Sequence, residues 1–484
     1  MSLKRLRDDC DGVVLPYVAV SLAVIIGLSA LALDGSRLMT IQTQSQVAAD
    51  ALALAGAAEL DRRPDSIIRA RAAIQDLVSN PISAAGSGQI AKVSGIDFLQ
   101  SLPASDDSPI TAANLTDDPT LAAYVQVSLA PIAMQPLFPL SISAEKGVAI
   151  GAQSVAGYDQ IVCDATPLYV CNPFETAGMT YYQATEALVE ADTDPLAHRR
   201  LIRLARSQLK NGSDRAGDFG YVVPATGFLP STACGPSSDR GIPQALAATR
   251  LRACYRQSGI KLVPSDDQPA MDALNTRFDI YAGGFRSCRN YSPDLNVRKG
   301  FTAPGNANWC IATPSVNWPM PNEDATPLPV DANMTGPGPS LNTDVSLGDG
   351  AWNCAAYWSV AHFAGSGKSA APPGCSSAAI SRYDVYRYEL KFPYDRSQGA
   401  EFGAPRCVPR GQADRRVLTV PIINCGSSPV PVSSDAQGVP VAAFGRFFLV
   451  LPAEPATNGN FYAEFIGLVK RSDPLSTDQV QLYR

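Results

Sequence analysis

Residues 12–33 read GVVLPYVAVSLAVIIGLSALAL, 22 residues without a charge. At 1.5 Å per residue a helix of this length spans roughly 33 Å, enough for the hydrocarbon core of a bilayer. Lys4, Arg5 and Arg7 precede it, and the positive-inside tendency keeps that end cytoplasmic, so the chain after Asp34 is expected outside. A cleavable signal peptide is the competing reading: the start is basic, and Ala30-Leu31-Ala32 has the small-x-small form of a cleavage site. The apolar run exceeds the roughly 7–15 residues of such signals, however, and the helical pattern does not stop at that site. Leu38, Ile41, Ala48, Leu52 and Ala55 continue it on one side, running into QSQVAADALALAGAAEL. Within the span, Ala19, Ala23 and Gly27 form a small-xxx-small stripe that suits close approach of another membrane helix. A retained anchor accounts for all of these features.

Length and composition bound the rest. At 484 residues the chain is too long for one core, and about three domains is the prior. Gly (37) and Pro (39) together exceed the usual share, which favours turn-rich β structure over helical bundles. The net charge of −6 argues against a nucleic-acid partner, which would need a basic surface. Only two histidines, His198 and His362, are present, which leaves few routes to a zinc site or a Ser/His/Asp triad. Of 11 cysteines, Cys10 stands apart on the cytoplasmic side of the span. Cys163, Cys171, Cys234, Cys254, Cys288, Cys310, Cys354, Cys375, Cys407 and Cys425 contain no C-x-x-C and are candidates for disulfides in an oxidising compartment. Their connectivity is open, although Cys163 and Cys171 could close one short loop.

The amino-terminal segment combines a basic tail, an uncharged span with an early proline, a D-G-S-R-L exit and an Ala-rich helix reading Q-x-x-A-D-A-L-A-L-A-G-A. It resembles the amino-terminal module of the TadE/TadG-like proteins of the tight-adherence (Flp) pilus assembly system. Pro16, Asp34, Arg37, Leu38, Gln46, Ala49 to Ala55 and Gly56 to Ala58 carry the likeness. The resemblance implies a pilin-like helix anchored in the bacterial inner membrane, followed by a small sheet. Processed pilin-type precursors carry Glu at the fifth position after the cleavage glycine. Tyr17 stands there, which argues against prepilin cleavage and places the chain closer to TadG than to TadE. Farther on, CDATPLYVCNPFE, NTRFDIY, SRYDVYRYEL and DRRVLTVPIINC also resemble the family's outer region. The Asp-x-Ser-x-Ser metal string of von Willebrand A domains is absent: Asp395-Arg396-Ser397 continues into Gln398 and Gly399.

The expected fold class is α+β: a transmembrane pilin-like long helix, a small αβ domain, then a large disulfide-containing β-rich domain with a few helices. The expected boundaries are a cytoplasmic tail at 1–12, the span at 13–33, the pilin-like helix and αβ domain at 34–155, and the periplasmic outer domain at 156–484. A second helix is expected over 62–80, with Ile67, Ile68, Ala72, Ile74 and Leu77 as its apolar face. Alternation predicts strands in KVSGIDFL, AAYVQVSL and SISAEKGVAIGA, with the Pro-rich APIAMQPLFPL between the last two. In the outer region, LAHRRLIRLARSQLKN (196–211), IPQALAATRLRACYRQSG (242–259) and DDQPAMDALNTRFDIY (266–281) read as helices. Residues 290–380 read as loop. RYDVYRYELKF, RRVLTVPIINC, RFFLVLPA and FYAEFIGLVKR read as strands.

Sites of chemistry are sparse. HFAGSGKS (362–369) has His362 where a phosphate-binding loop needs Gly, and two prolines follow it, so it reads as a loop. Glu190, Asp192, Asp194, Asp266 and Asp267 lack the alternation and distal Glu of a calcium loop. The Arg199, Arg200, Arg203 and Arg206 run reads as a solvated helix face. No catalytic, cofactor or metal residue is assigned, and no enzyme activity or cofactor is expected. The expected role is a structural or assembly component of a Flp-type pilus machine, single-pass in the inner membrane. Its expected partners are the lipid bilayer and other pilus-assembly membrane proteins or pilins, with no nucleic acid and no small-molecule substrate. Two alternatives are an adhesin or carbohydrate-binding module built on Trp309, Trp318, Trp352 and Trp358, and, less favoured, a periplasmic hydrolase.

Overall fold

The computed structural model describes residues 14–77, 92–103, 105, 108–134, 148–207, 215–223, 234–235, 241–248, 251, 253–264, 267–278, 280–288, 290–294, 301–302, 310–311, 328–335, 345–361, 370–377, 379–391, 412–433, 436–453 and 459–483. The chain divides into two units, Met1–Tyr158 with Val480–Arg484, and Asp159–Gln479. The architecture is mixed α+β, as the composition and patterning predict.

The first unit is organised by one helix. α1 (Val14–Ala57) runs 44 residues, about 66 Å at the standard rise. Its polar side chains close on their own backbone: Thr40 and Thr43 donate to the carbonyls of Ser36 and Met39, at 2.8 and 2.9 Å. From Ile41 onward one face is buried. Ile41, Ala49, Leu52, Ala53, Ala57 and Leu60 pack against Ala70 and Ile74 of α2 (Ser66–Leu77) and against the sheet. A Cβ on Gly56 would lie 2.6 Å from Ile74 Cδ1, so the missing side chain sets the closeness of the two helices. α2 starts later than its sequence pattern implies, and its buried residues are Ser66, Ala70 and Ile74. Ile68 is 72% exposed and Leu77 41% exposed, which corrects their assignment to the apolar face. Arg69 fixes the turn before it, reaching Glu59 and Asp61 at 2.5 Å and Asp65 at 3.0 Å.

Antiparallel strands β1 (Val93–Leu99), β2 (Tyr124–Met134) and the first part of β3 (Val148–Cys163) lie side by side in this unit's sheet, and the chain's last strand joins them beside β3. Val125, Val127 and Leu129 face the core while the residues between them are partly exposed, the period-2 signature of a sheet with one covered face. The register then shifts between Leu129 and Ile132. Pro131 sits at that point and has no N–H for the ladder, so the inward parity moves from odd to even positions. On the other side, Tyr124 and Tyr483 meet edge to face at 5.1 Å over Gly157.

The second unit contains a closed ring of six strands. β4 (Leu168–Cys171) is followed by α3 (Tyr181–Ala191), β5 (Leu201–Arg206), β6 (Asp218–Val223), α4 (Ile242–Ala247), β7 (Cys254–Arg256), β8 (Lys261–Val263), α5 (Asp267–Asn275), and the two-residue β9 (Phe301–Thr302) and β10 (Cys310–Ile311). Then come α6 (Cys354–Ala361), α7 (Arg382–Lys391), β11 (Val417–Ile423), β12 (Ala443–Leu451), β13 (Phe461–Leu468) and β14 (Ser476–Leu482), the strand that lies beside β3 and whose end from Val480 belongs to the first unit. The order β4-β11-β12-β13-β5-β6 closes because β4 also pairs with β6. Closure removes free edges from those six strands. Phe447 and Phe465 lie 5.6 Å apart and Phe219 and Phe461 6.3 Å apart on one face of these strands. Phe448, Val450 and Tyr462 alternate to the opposite face, where Trp352, Trp358, Val385 and Tyr386 cover them.

Four disulfides lie among the described residues: Cys163–Cys254, Cys171–Cys425, Cys234–Cys288 and Cys354–Cys375. Cys163 and Cys171 therefore do not close a loop with each other. Cys163 faces Cys254 where the end of β3 pairs with β7, and Cys171 joins β4 to the turn after β11. Cys10, Cys407 and the side chain of Cys310 lie outside the described residues.

Several local expectations are overturned here. Among the described residues of 196–211 the chain makes a single 3-10 turn, Ala197–Arg199, and then enters β5. β5 pairs with β13 on one side and β6 on the other, and that pairing overrides the helical spacing of Leu201 and Leu204. RYDVYRYELKF is the opposite case: its described residues, RYDVYRYELK, form α7, with Arg382, Val385, Tyr386 and Glu389 buried at helical spacing. Ser381 caps it, accepting the Asp384 N–H at 3.0 Å. In 242–259 the helix ends at Ala247 and β7 follows. The described residues of 290–380 hold β9, β10, a 3-10 turn at Ala332–Met334 and α6 as well as loop. Helix α5 and the strands β11, β12 and β13 fall where the pattern predicts.

Candidate functional site

The amino-terminal half of α1 is apolar and largely exposed, although Ala30 is buried. Tyr17, Val20, Leu22, Ile25, Leu28 and Leu31 are between 56% and 72% exposed. Ala19 and Ala23 are exposed, and a Cβ on Gly27 would meet nothing within 4 Å, so the small-residue stripe lies open in this structure. A soluble surface helix would carry a polar face. This one is long and apolar enough to cross a membrane.

The change of character along the helix is abrupt. Asp34 and Arg37 form an ion pair at 3.7 Å just past the apolar run. One turn later Ile41 is fully buried. Gln46 then ties the helix to the sheet, donating to Asp50 Oδ1 at 2.8 Å and to the Gln153 carbonyl at 3.0 Å. The two halves thus present two surfaces, one apolar and exposed and one set against the unit's own core.

Residues 12–59 match the family model Tad, putative Flp pilus-assembly TadE/G-like. The match covers both halves of the helix and stops before α2 begins. It includes the sequence features that carry the resemblance, from Pro16 to Ala58. Neither curated proteins nor solved structures gave a match to this chain.

The other sequence candidates are dispersed. Trp352 is buried, with Nε1 donating to the Ile380 carbonyl at 3.0 Å, and Trp358 packs on Tyr388 at 5.7 Å. These two are core residues and form no open aromatic platform; Trp309 and Trp318 lie outside the described residues, as does HFAGSGKS. Asp192 accepts the Leu468 N–H at 2.6 Å and Asp194 the Leu196 N–H at 2.8 Å, so both act as backbone caps. Asp266 and the side chain of Asp267 lie outside the described residues. Among the described residues no group of three or more His, Cys, Asp or Glu side chains could hold a metal ion. Arg200 donates to the Gly348 carbonyl at 2.6 Å, while Arg203 and Arg206 sit on β5.

Sequence reasoning missed a buried ionic cluster at the centre of the second unit. Arg382, fully buried, reaches Asp331 at 2.7 Å and Glu464 at 2.8 Å and lies over the Trp352 ring at 4.7 Å. Asp331 also accepts the N–H groups of Leu201 and Gly350, and Glu464 that of Tyr383. Burial pushes the Glu464 carboxyl up to about 7, with Arg382 and the Tyr383 N–H opposing the shift. Each group is held from several sides and shielded from solvent, so the cluster fastens α7 to β13. The Ser381-x-x-Asp384 capping pattern was the sequence signal that could have placed Arg382 on a helix.

Proposed function

We propose that this chain is a membrane-anchored structural or assembly component of a tight-adherence, Flp-type pilus machine. The exposed apolar half of α1, lying inside the matched residues 12–59, is the observation that supports it. In this reading the span crosses the bacterial inner membrane once. Lys4, Arg5 and Arg7 hold its start in the cytoplasm, and the disulfide-bonded second unit lies in the periplasm. Tyr17 in place of the processing Glu, and a large outer region, favour the TadG side of the family over TadE.

The chain acts by packing and by contact, not by catalysis. Ala19, Ala23 and Gly27 offer a neighbouring membrane helix close backbone approach, and the outer unit presents a disulfide-braced surface to other pilus-assembly proteins or pilins.

The test is an in-frame deletion in the source bacterium, with surface filaments counted by electron microscopy and restored from a plasmid copy. Loss with rescue is the expected result; normal filaments would overturn the pilus role. A Gly27→Leu copy should restore fewer filaments than wild type while inserting into the membrane in equal amount.

A further inference from the structure

A cleft of about 410 Å³ opens in the second unit between segments far apart in sequence. Arg277 and Arg415 form its floor, Arg446, Tyr383 and Gln412 stand on its walls, and Thr166 and Thr419 contribute further hydroxyls. Arg277 is 4% exposed and Arg415 4% exposed.

The hydrogen bonds of the two floor guanidinium groups go to carbonyl oxygens. Arg277 donates to Leu246 and Arg415 carbonyls, and Arg415 to those of Ser292, Ala247 and Ala248. Carbonyls satisfy donors but do not neutralise charge. Among the described residues neither Arg has a carboxylate within ion-pair distance. The carboxylates nearby are engaged elsewhere. Asp164 accepts the Leu251 N–H at 2.5 Å, and Asp414 pairs with Arg387 at 3.2 Å. Asp294 accepts the Tyr386 hydroxyl at 2.7 Å and the Arg416 N–H at 2.9 Å. On the wall, Arg446 adds a third cation, paired with Asp473.

Two buried like charges side by side are costly without a counter-charge. The cost is visible in their acidity: burial pushes Arg415 down to about 10 against the opposing charge of Asp294, and burial together with Arg415 pushes Arg277 well down although Asp294 and Asp164 oppose the shift. Carbonyl clamping explains why the side chains are ordered. It leaves unexplained why charged guanidinium groups, and hydroxyls beside them, line an opening of ligand size.

We propose that this cleft binds a small oxyanion, a carboxylate or a phosphate, seated over Arg277 and Arg415 and hydrogen-bonded by the hydroxyl-bearing wall. The bound group is a ligand, not a substrate: it adds negative charge to that of Asp294 and Asp164, neither of which forms an ion pair with Arg277 or Arg415, and stabilises the second unit. Planar guanidinium forks suit either anion, and the test distinguishes them.

The full chain, held in detergent micelles, is titrated separately with sodium phosphate and sodium acetate by calorimetry, with sodium chloride at matched ionic strength as reference. Thermal unfolding is followed in the same solutions. One of the two anions should bind saturably and raise Tm beyond chloride, and the stronger identifies the ligand class. Tyr383→Phe and Arg446→Gln leave the carbonyl clamps in place. Each should weaken binding about tenfold, the effect of losing one hydrogen bond to a charged group. No saturable binding by either anion, equal effects with chloride, or unchanged affinity in both variants would overturn the proposal.

Discussion

The two units differ in where their apolar surface goes, and that difference decides how each is held together. In the first unit, helix and sheet bury one side each. Ile41, Leu52 and Ile74 meet Val125 and Val127, and no cysteine of this unit lies among its described residues. In the second unit, strands of the ring are covered on both faces, charges are buried, and the four disulfides among the described residues span separations of 21 to 254 residues. The first is a simple layered core; the second depends on covalent and ionic ties. The four tryptophans all fall in Asp159–Gln479, so their fluorescence reports the second unit alone.

Reduction should break the comparison open most widely. Each native disulfide contributes typically 2–4 kcal/mol, more when it closes a long loop. With reductant, the tryptophan-detected transition is expected to fall in Tm by tens of degrees or vanish. Far-UV dichroism should keep the helical signal of α1. Equal loss of both signals would show that the first unit cannot stand without the second.

Arg382→Met comes next. It strands Asp331 and Glu464 without their cation, and breaking a buried pair on one side costs about 3–5 kcal/mol. Denaturant unfolding followed by tryptophan emission should show that loss, whereas a small change would mean that water enters the site and relieves the carboxylates.

The same cluster predicts a pH dependence confined to the second unit. Glu464 is raised from 4.5 to about 7 in the folded state. Its contribution is therefore fully present below about pH 4.5 and is lost as pH rises toward 7, a decline of a few kcal/mol at most. Measured between pH 5 and 7.5, wild type should lose stability with rising pH, and Glu464→Gln should flatten the slope. An identical slope in both would assign the effect to other groups.

The contrast in burial also explains what could be read in advance. One-sided elements print their period in the chain, so α1, the strands β1 and β2 and the presence of α2, though not its buried face, were visible from spacing alone. β5 was not: neighbours on both edges bury Leu201, Ile202 and Leu204 together, and the run LIRLAR loses the alternation that marks a strand. Cysteine pairing was equally hidden, because Cys171 finds Cys425 across 254 positions and spacing carries no trace of it. The candidate membrane span was legible in full because it depends on composition over one continuous stretch. The arginine cleft was illegible because its lining comes from segments as distant as Asp164, Arg277 and Arg446, brought together only by the ring.

The smallest expected effect tests the one place where local chemistry should have corrected a wrong period. In RYDVYRYELK the Tyr and Leu alternation imitates a strand, and the helix is decided at its first turn. Ser381 accepts the Asp384 N–H at 3.0 Å and donates its hydroxyl to Asp384 Oδ2 at 2.7 Å, satisfying a donor that the helix end leaves unpaired. Ser381→Ala removes both bonds and should cost about 1 kcal/mol, while Ser381→Asp, which keeps an acceptor at the cap, should recover part of it. The loss should appear in the tryptophan transition, since α7 covers Trp352 and Trp358. If Ser381→Ala is silent, burial of Arg382, Val385 and Tyr386 against β12 and β13 alone selects the helix. The cap would then be a consequence of the packing rather than one of its causes.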